Sequence, residues 1–269
     1  MQTQYKNINC PICQQLMQPA FTKQVLNKYS AKYEVCNGCA FLRAYEPYWL
    51  EESYSRAIAT ADTGLMSRNM TIANKLACVL YFVMSERGSG QYLDAAGGYG
   101  VLTRLMRDLG FDFYWADKYC ENLVAAGFEY QENLGDCSAV TAIEVMEHLT
   151  DPSNFVEETL KLSGASTLIF TTELYEGELP DESWWYYAFA TGQHIGFFKR
   201  QTLEILATKL GLQFASVNGI HILSKVAINE QLLRIATNRL ISRLAPWWIR
   251  RQLGSKTMTD HQLMLQNIS

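Results

Sequence analysis

Four cysteines in this 269-residue chain have the spacing of a metal centre. Cys10-Pro11-Ile12-Cys13 and Cys36-Asn37-Gly38-Cys39 are Cys-x-x-Cys pairs separated by 22 residues. Each pair sets two thiolates on one turn, and two such turns make the tetrahedral four-sulfur shell that structural zinc prefers. Asn37 and Gly38 suit a turn that aims backbone N–H groups at sulfur. Cys10, Cys13, Cys36 and Cys39 fill every ligand position, so the expected zinc is structural rather than catalytic. Two redox pairs or two disulfides are the alternative.

A second chemistry lies at Asp94, Ala96, Gly97, Gly98, Gly100 and Asp117. An apolar run carrying Asp94 enters a glycine-rich turn, a helix-like segment from Val101 to Leu109 follows, and a second apolar run, Phe111 to Ala116, ends at Asp117. Such a β-turn-α-β unit holds a nucleoside-containing ligand at the carboxyl ends of parallel strands. The glycines admit a close backbone approach, and Asp117 can accept two hydrogen bonds from ribose hydroxyls. The Gly-x-Gly-x-x-Gly spacing that seats a pyrophosphate on a helix N-terminus is missing. Asp94 would also repel a pyrophosphate, whereas a carboxylate suits a cation. S-adenosylmethionine carries an ammonium, a sulfonium and no phosphate, so the charges favour it over NAD. A tight turn without a ligand is the plain structural alternative. Cys78, Cys120 and Cys137 are isolated and expected to be packed, with Cys120 close enough to Asp117 to lie near a ligand.

These groups need elements to position them. Thr63 to Glu86 has apolar residues near helical spacing, and Gly88-Ser89-Gly90 stops it. Ala139 to Val145 and Thr167 to Thr172 read as buried strands, with Ser153 to Leu162 as the helix between them. Thr202 to Leu210 reads as another helix, with Phe214 to Val217 and Ile220 to Ile228 as antiparallel strands closing the sheet. Val25 to Val35 can supply the strands of a ribbon hairpin, and Phe41 to Ser55 reads as a linker and an aromatic helical segment. Asn229 to Leu244 reads as one amphipathic helix bearing Arg234, Arg239 and Arg243.

Composition sets outer limits. Hydrophobic content of 48% and charged content of 19% describe a globular chain with one substantial core and a small appendage. Met1 to Asn9 is polar and reads as no signal peptide, and no apolar run approaches the roughly 18 residues needed to span a bilayer. Unpaired, metal-spaced cysteines suit a reducing cytoplasm. The net charge of −4 is uneven. Residues 1–45 and 220–256 are basic, the middle acidic, which is not the broad basic footprint of a nucleic-acid binder. Ala245 to Arg251 mixes tryptophan with arginine, which fits contact with an anionic membrane surface, or docking on the core or on a second copy.

At Thr141-Ala-Ile-Glu-Val-Met-Glu-His-Leu-Thr-Asp-Pro152 the pattern, taken with the glycine turn, resembles class I S-adenosylmethionine-dependent methyltransferases. The order of zinc ribbon, linker helix, this core and His194-Ile-Gly-Phe-Phe-Lys-Arg-Gln-Thr-Leu203 is similar to bacterial zinc-ribbon methyltransferases, several of which act on sugars or other small metabolites. The resemblance covers roughly residues 8–228. It departs at Ala96, where the family has the first glycine of its turn. It implies an α/β, Rossmann-like sheet with helices on both faces plus a small N-terminal zinc ribbon. It divides the chain into a ribbon (1–45), linker and leading helices (46–86), cofactor core (87–228) and a helical extension (229–269).

By the same resemblance, Asp94 and the turn meet the amino-acid end of S-adenosylmethionine, Asp117 the ribose, and Asp136 or Cys137 the adenine, with Glu144 a further contact. His148, His194 and Glu173 are the candidate bases. For His148 the alternative is a capping or core histidine. In quinone-type O-methyltransferases a similar Glu-x-x-Glu-His segment can hold a divalent metal, which would involve Glu144, Glu147 and His148; hydrogen bonding that shapes the loop is the alternative. The aromatic insert Glu173 to Gln193 is expected to roof the site, or to pack as a plain hydrophobic lid. The implied activity is methyl transfer to a small molecule, a sugar or nucleotide-linked glycan precursor. An rRNA or tRNA methyltransferase and a catalytically inactive binding module are the alternatives.

Overall fold

The computed structural model describes residues 9–54 and 62–268. In chain order its strands are β1 (Met17–Val25), β2 (Tyr29–Cys36), β3 (Leu42–Ala44), β4 (Gln91–Ala95), β5 (Asp112–Ala116), β6 (Ala139–Ile143), β7 (Thr167–Thr171), β8 (Gly196–Phe197), β9 (Gln213–Val217) and β10 (Ile220–Ser224). Its α-helices are α1 (Leu50–Ser53), α2 (Leu65–Cys78), α3 (Val101–Asp108), α4 (Pro152–Ser163), α5 (Arg200–Lys209), α6 (Glu230–Ala236), α7 (Arg239–Leu253) and α8 (Thr257–Ile268). Ser55 and the stretch before Asn9 lie outside the described residues.

The larger sheet has the order β5-β4-β6-β7-β10-β9, with β4 to β7 parallel and β10 antiparallel to both its neighbours. Its strands are short apolar runs because both faces are covered by helices. The chain starts in the middle at β4, moves outward to β5, then returns past β4 to β6. That reversal opens a crevice beyond the carboxyl ends of β4 and β6, where ligands bind in such sheets. Beyond β5, a third outer strand is reduced to one parallel bridge between Trp115 and Glu129.

A smaller antiparallel sheet has the order β1-β2-β3-β8. The hairpin spans residues 17–36, so the expected range of 25–35 covered only its turn and second strand. Leu26 (φ 52°) and Asn27 (φ 56°) both take the left-handed conformation at that turn, as a tight hairpin requires, and a leucine there gives little sequence sign of it. The last strand of this sheet, β8, comes from the part of the chain that builds the larger sheet: Leu42 pairs with Phe197 and Arg43 with Gly196. The ribbon is thus completed by the core.

Three apolar clusters hold the layers together. One lies under β6 and β7 and includes the four cysteines with Phe41, Phe198 and Leu203. A second joins α2, α3, α6 and α7 to the other face of the sheet. The third fills the space between the small sheet and the insert: Tyr187, Trp184 and Phe189 pack with Tyr33, Trp49 and Phe197. The insert therefore packs chiefly as a hydrophobic cover on the ribbon. Trp185 remains 72% exposed, and Tyr186 turns toward the crevice.

At the C-terminus the structure replaces the single expected helix by two. Asn238 breaks the run because its Oδ1 accepts from the backbone N–H of Leu240 (2.9 Å) and caps α7. Helix α8 is tied back by Arg107, whose guanidinium makes a bidentate pair with Asp260 at 2.8 Å.

Candidate active site and four-cysteine centre

The two cysteine turns have the same build. In each, the residue after the second cysteine has positive φ (Gln14, 64°; Ala40, 59°) and donates its N–H to the carbonyl of the first cysteine, at 2.9 and 2.7 Å. This repetition brings Cys10 Sγ to 3.5 Å from Cys39 Sγ and Cys13 Sγ to 3.3 Å from Cys36 Sγ, with all four sulfurs within 4.8 Å of one another. All four cysteines are free thiols. Sulfurs around a tetrahedral zinc stand about 3.8 Å apart, given Zn–S bonds of about 2.3 Å. The donor set and its spacing fit zinc. The centre is fastened to α5: Thr202 Oγ1 donates to the Cys39 carbonyl at 2.7 Å and Lys209 Nζ to that of Pro11 at 3.0 Å.

The glycine turn closes the end of β4. Asp94 is buried, and its carboxylate accepts from Thr103 Oγ1 on α3 and Thr141 Oγ1 on β6, both at 3.0 Å. Asp94 thus locks the turn to its neighbours rather than opening into the crevice. Burial pushes its pKa up to about 7 against the pull of the two hydroxyls, with the nearby Asp117 adding to the rise. Ala96 takes φ 53°, a conformation that glycine adopts freely and alanine does not. Gly98 has φ 55° with nothing within 4 Å of where a Cβ would stand, so the turn is open on that side. At Gly100 a Cβ would meet Asn122 Oδ1 at 2.5 Å and the Ala125 backbone N at 3.2 Å. Asp117, at the end of β5, accepts from Gly98 N (3.0 Å), Tyr119 N (2.7 Å) and Cys120 N (2.9 Å). The turn and the second acid are therefore one hydrogen-bonded unit, and burial pushes the adjoining Cys120 thiol up to about 11.

Asp136 is not brought to this unit. It precedes β6, at the amino end of that strand, and lies against Gly164, the residue that ends α4. Cys137 is buried there, its N–H bonded to the Ser163 carbonyl. The segment that runs beside β5, two residues before Asp117, is the one at Glu129.

Acids and imidazoles gather beyond β6 and β7. Glu144 has φ 56°; its N–H donates to Thr171 Oγ1 (3.0 Å), while that hydroxyl donates to Glu144 Oε1 (2.7 Å). Its Oε2 faces the Arg68 Nε on α2 at 3.7 Å. Glu147 is fully buried, with the Thr172 and Tyr186 hydroxyls as its nearest hydrogen-bonding groups. Burial raises the pKa of both acids; their mutual repulsion adds to it at Glu144, and the nearby His194 opposes it at Glu147. His148 Nδ1 lies 3.0 Å from the Gln193 carbonyl and 2.9 Å from the Tyr54 hydroxyl. Burial and the facing His194 pull its pKa down to about 4. His194 Nδ1 lies 2.7 Å from the Tyr186 carbonyl, and the two imidazoles meet edge to face at 5.0 Å. Glu173 is exposed at the end of β7.

His148, His194, Glu144 and Glu147 thus share one corner of the crevice, with Glu173 on its rim. Tyr186 joins them from the aromatic insert expected to roof the site, and Arg68 and Tyr54 join them without having been singled out in the sequence. Tyr54 lies in an aromatic run that reads as packing, and Arg68 is one charge on an amphipathic helix.

This arrangement is that of a class I methyltransferase domain. Residues 71–217, just over half of the chain, match the methyltransferase-domain family, and the chain belongs to it. The matched segment is an S-adenosylmethionine-dependent methyltransferase domain. No curated protein matches it. Among solved structures, TnmH is 15% identical at a TM-score of 0.44, with 66% of this chain and 60% of that chain covered. The mitomycin 7-O-methyltransferase MmcR is 14% identical at 0.44, with 65% and 59% covered. Magnesium protoporphyrin IX methyltransferase from Synechocystis PCC 6803 is 14% identical at 0.40, with 66% and 91% covered. The chain spans about three fifths of the length of the first two. Likeness at this level decides nothing about the acceptor.

Proposed function

We propose that the protein methylates a hydroxyl of a small polar acceptor, a sugar or nucleotide-linked glycan precursor. The observation that carries the reading is the polar corner formed by Glu144, Glu147, His148, Glu173 and His194 beside the glycine turn. Such a corner matches hydroxyl-rich molecules and would be costly to cover with an apolar one. S-adenosylmethionine fits the turn: the side at Gly98 is open, and the neighbouring charges, Asp94 and Asp117, are acidic. When bound it supplies an electrophilic methyl group. Asp117 and the Ala96–Gly100 backbone would hold it, and Asp94 would act through the turn.

The acceptor oxygen has to be positioned in line, which supplies much of the rate, and has to lose its proton. His148, His194 and Glu173 would orient that hydroxyl and accept the proton. The RNA-modifying alternative is disfavoured by the ribbon's charges: Lys23 pairs with Glu182, Lys28 with Glu52 and Arg43 with Glu34, all within 2.9 Å.

The test is to incubate the protein with methyl-labelled S-adenosylmethionine and a fractionated cell extract. Label in a small, RNase-resistant fraction supports the reading. Label in RNA would overturn it, and an absence of both label and cofactor binding would point to an inactive module.

A further inference from the structure

We propose that the C-terminal helix α8 belongs to the cofactor site: Asp260 and Met264 are positioning residues that hold residues 118–128 behind the glycine turn and so raise the affinity for S-adenosylmethionine. This role rests on the assignment of Asp117 and the Ala96–Gly100 turn to that cofactor, and on nothing about the acceptor.

Residues 118–128 leave β5 just after Asp117 and rejoin its edge at the single bridge between Trp115 and Glu129. One side of this segment backs the turn. The N–H groups of Leu123 and Val124 both donate to the Tyr99 carbonyl at 3.2 Å. Asn122 Oδ1, which accepts from Ala125 N at 3.0 Å, and Ala125 itself fill the space beside Gly100 where a side chain would start. At the far end the Phe128 carbonyl accepts from Trp115 N at 2.8 Å, and the Trp115 indole N–H donates to the Gly98 carbonyl at 2.8 Å. Gly98 is the open residue of the turn, so Phe128 is linked to it through one residue.

The other side of the segment meets α8. From Thr257 to Gln266, Asp260 and Met264 are the residues that this helix turns inward, one helical turn apart. The Met264 thioether fills the place where a Cβ at Gly127 would stand. Asp260 accepts from Arg107 Nε and Nη2 and from Arg104 Nη2, each at 2.8 Å, which holds the Arg107 guanidinium 3.6 Å from the centroid of the Phe128 ring. The start of α8 is seated on α3: Thr257 Oγ1 donates to Asp108 at 2.8 Å and Lys256 N to the Arg107 carbonyl at 3.1 Å.

A full outer strand would fix residues 118–128 through its ladder of backbone bonds. Here one bridge stands in place of that ladder, and the packing of α8 keeps the segment ordered before the cofactor arrives. An ordered site binds more tightly because less conformational entropy is lost on binding. The coupling is reciprocal: whatever α8 adds to cofactor affinity, the bound cofactor adds to the attachment of α8.

The experiment uses the full chain and S-adenosylmethionine without acceptor. Titration calorimetry gives the affinity, and hydrogen exchange read by mass spectrometry follows residues 257–266 with and without saturating cofactor. We expect the cofactor to slow exchange in α8 by about threefold or more, although Asp260 and Met264 reach the turn only through Arg107, Phe128 and Gly127. Met264→Ala should weaken binding about fivefold and abolish that slowing, whereas Met264→Leu, which keeps the volume, should stay within about twofold of the parent. Leu265→Ser, on the exposed face of the helix, should change neither quantity. The role is overturned if exchange in α8 is the same with and without cofactor, or if Met264→Ala binds as tightly as the parent; a lower unfolding temperature alone would make α8 a brace for the fold. A parent chain that binds no S-adenosylmethionine would instead refute the cofactor assignment itself, and this role with it.

Discussion

At the scale of single residues, Asp94 and the turn it anchors make the sharpest demands. The Asp94 carboxyl titrates at its ordinary value of 3.8 in the unfolded chain and is raised to about 7 when folded. Between these values the unfolded state ionises and the folded state does not, so this group lowers stability as pH rises from 4 to 7. Above pH 7 the whole penalty stands, at most about 4 kcal/mol by linkage. Asp94→Asn should therefore unfold at a higher temperature than the parent at pH 8, with the difference vanishing near pH 4. Cofactor affinity should move oppositely. A cation favours the ionised form, so S-adenosylmethionine should bind more weakly at pH 6 than at pH 8, and the variant should show no such slope. Calorimetric titrations at the two pH values, with thermal melts, would decide it.

Ala96 and Gly98 separate strain from space. Ala96→Gly relieves a left-handed alanine and should stabilise by about 0.5–1 kcal/mol. Gly98→Ala adds a methyl group to open space, so its stability cost is the backbone strain of about 1 kcal/mol, while cofactor affinity should fall more than tenfold. Equal affinity in Gly98→Ala and the parent would mean that the cofactor does not pass that side of the turn.

At the scale of elements, two attachments are the main points of leverage. The first is the clamp on α8. Arg107 is buried, stacks 3.6 Å from the Phe128 ring centroid and bonds Asp260 through two nitrogens. Removing the acid leaves a buried guanidinium short of its main partner, although Asp112 remains at 2.8 Å. Asp260→Ala should therefore cost about 3–5 kcal/mol in denaturant unfolding. Burial alone would raise the pKa of Asp260, but the bonds from Arg107 and Arg104 outweigh it and hold it low. The clamp's stability is thus present above the unfolded carboxyl range and is lost as pH falls through the lowered value.

The second attachment is β8, shared between the ribbon and the candidate corner around His148 and His194. Cys36→Ser should release zinc and cut methyl transfer at least tenfold by loosening His194. S-adenosylmethionine affinity should stay within about twofold, because the glycine turn touches neither cysteine pair. A parallel loss of affinity would indicate general unfolding instead.

Most of the core elements were legible because their signals are local. Runs such as Leu168 to Phe170 are apolar throughout, and Gly88 to Gly90 punctuates the chain between α2 and β4. What stayed hidden depends on partners far away in the chain. The strand β8 is two residues long and exists only because β3 lies beside it. The break at Asn238 sits inside an unbroken amphipathic pattern and is set by a cap. The misplacement of Asp136 follows from the third outer strand, which is a single bridge and leaves no run to count from. In the candidate corner, His148 and His194 were readable as residue types, but their meeting depends on the ribbon's sheet.

At the scale of the whole molecule, α7 has apolar residues on two opposite faces. Ser242, Pro246 and Ile249 turn inward to the core. Leu240 (69% exposed), Leu244 (69%) and Trp247 (63%) form a second stripe, at spacings of four and three, that faces solvent. Trp248 stacks on Phe82, itself 42% exposed, and extends this patch onto the end of the leading helix. Arg234, Arg239, Arg243, Arg250 and Arg251 lie along the same two helices, and none forms an ion pair with an acid among the described residues. No helix among the described residues is long and apolar enough to cross a membrane. An apolar stripe rimmed by unpaired arginines matches the plane of an anionic bilayer, where tryptophan favours the interface and each basic residue adds about 1 kcal/mol.

We expect the protein to sediment with vesicles of phosphatidylcholine and phosphatidylglycerol, but not with phosphatidylcholine alone, and to be released by raised salt. Leu244→Ser combined with Trp247→Ala should weaken that binding at least tenfold without lowering the unfolding temperature, since both side chains are exposed. A polar acceptor carried on a lipid would then be methylated faster when presented in such vesicles than in detergent. If the vesicles capture nothing and the chain instead sediments as a dimer that these substitutions dissociate, the stripe belongs to a second copy of the chain and the membrane reading is wrong.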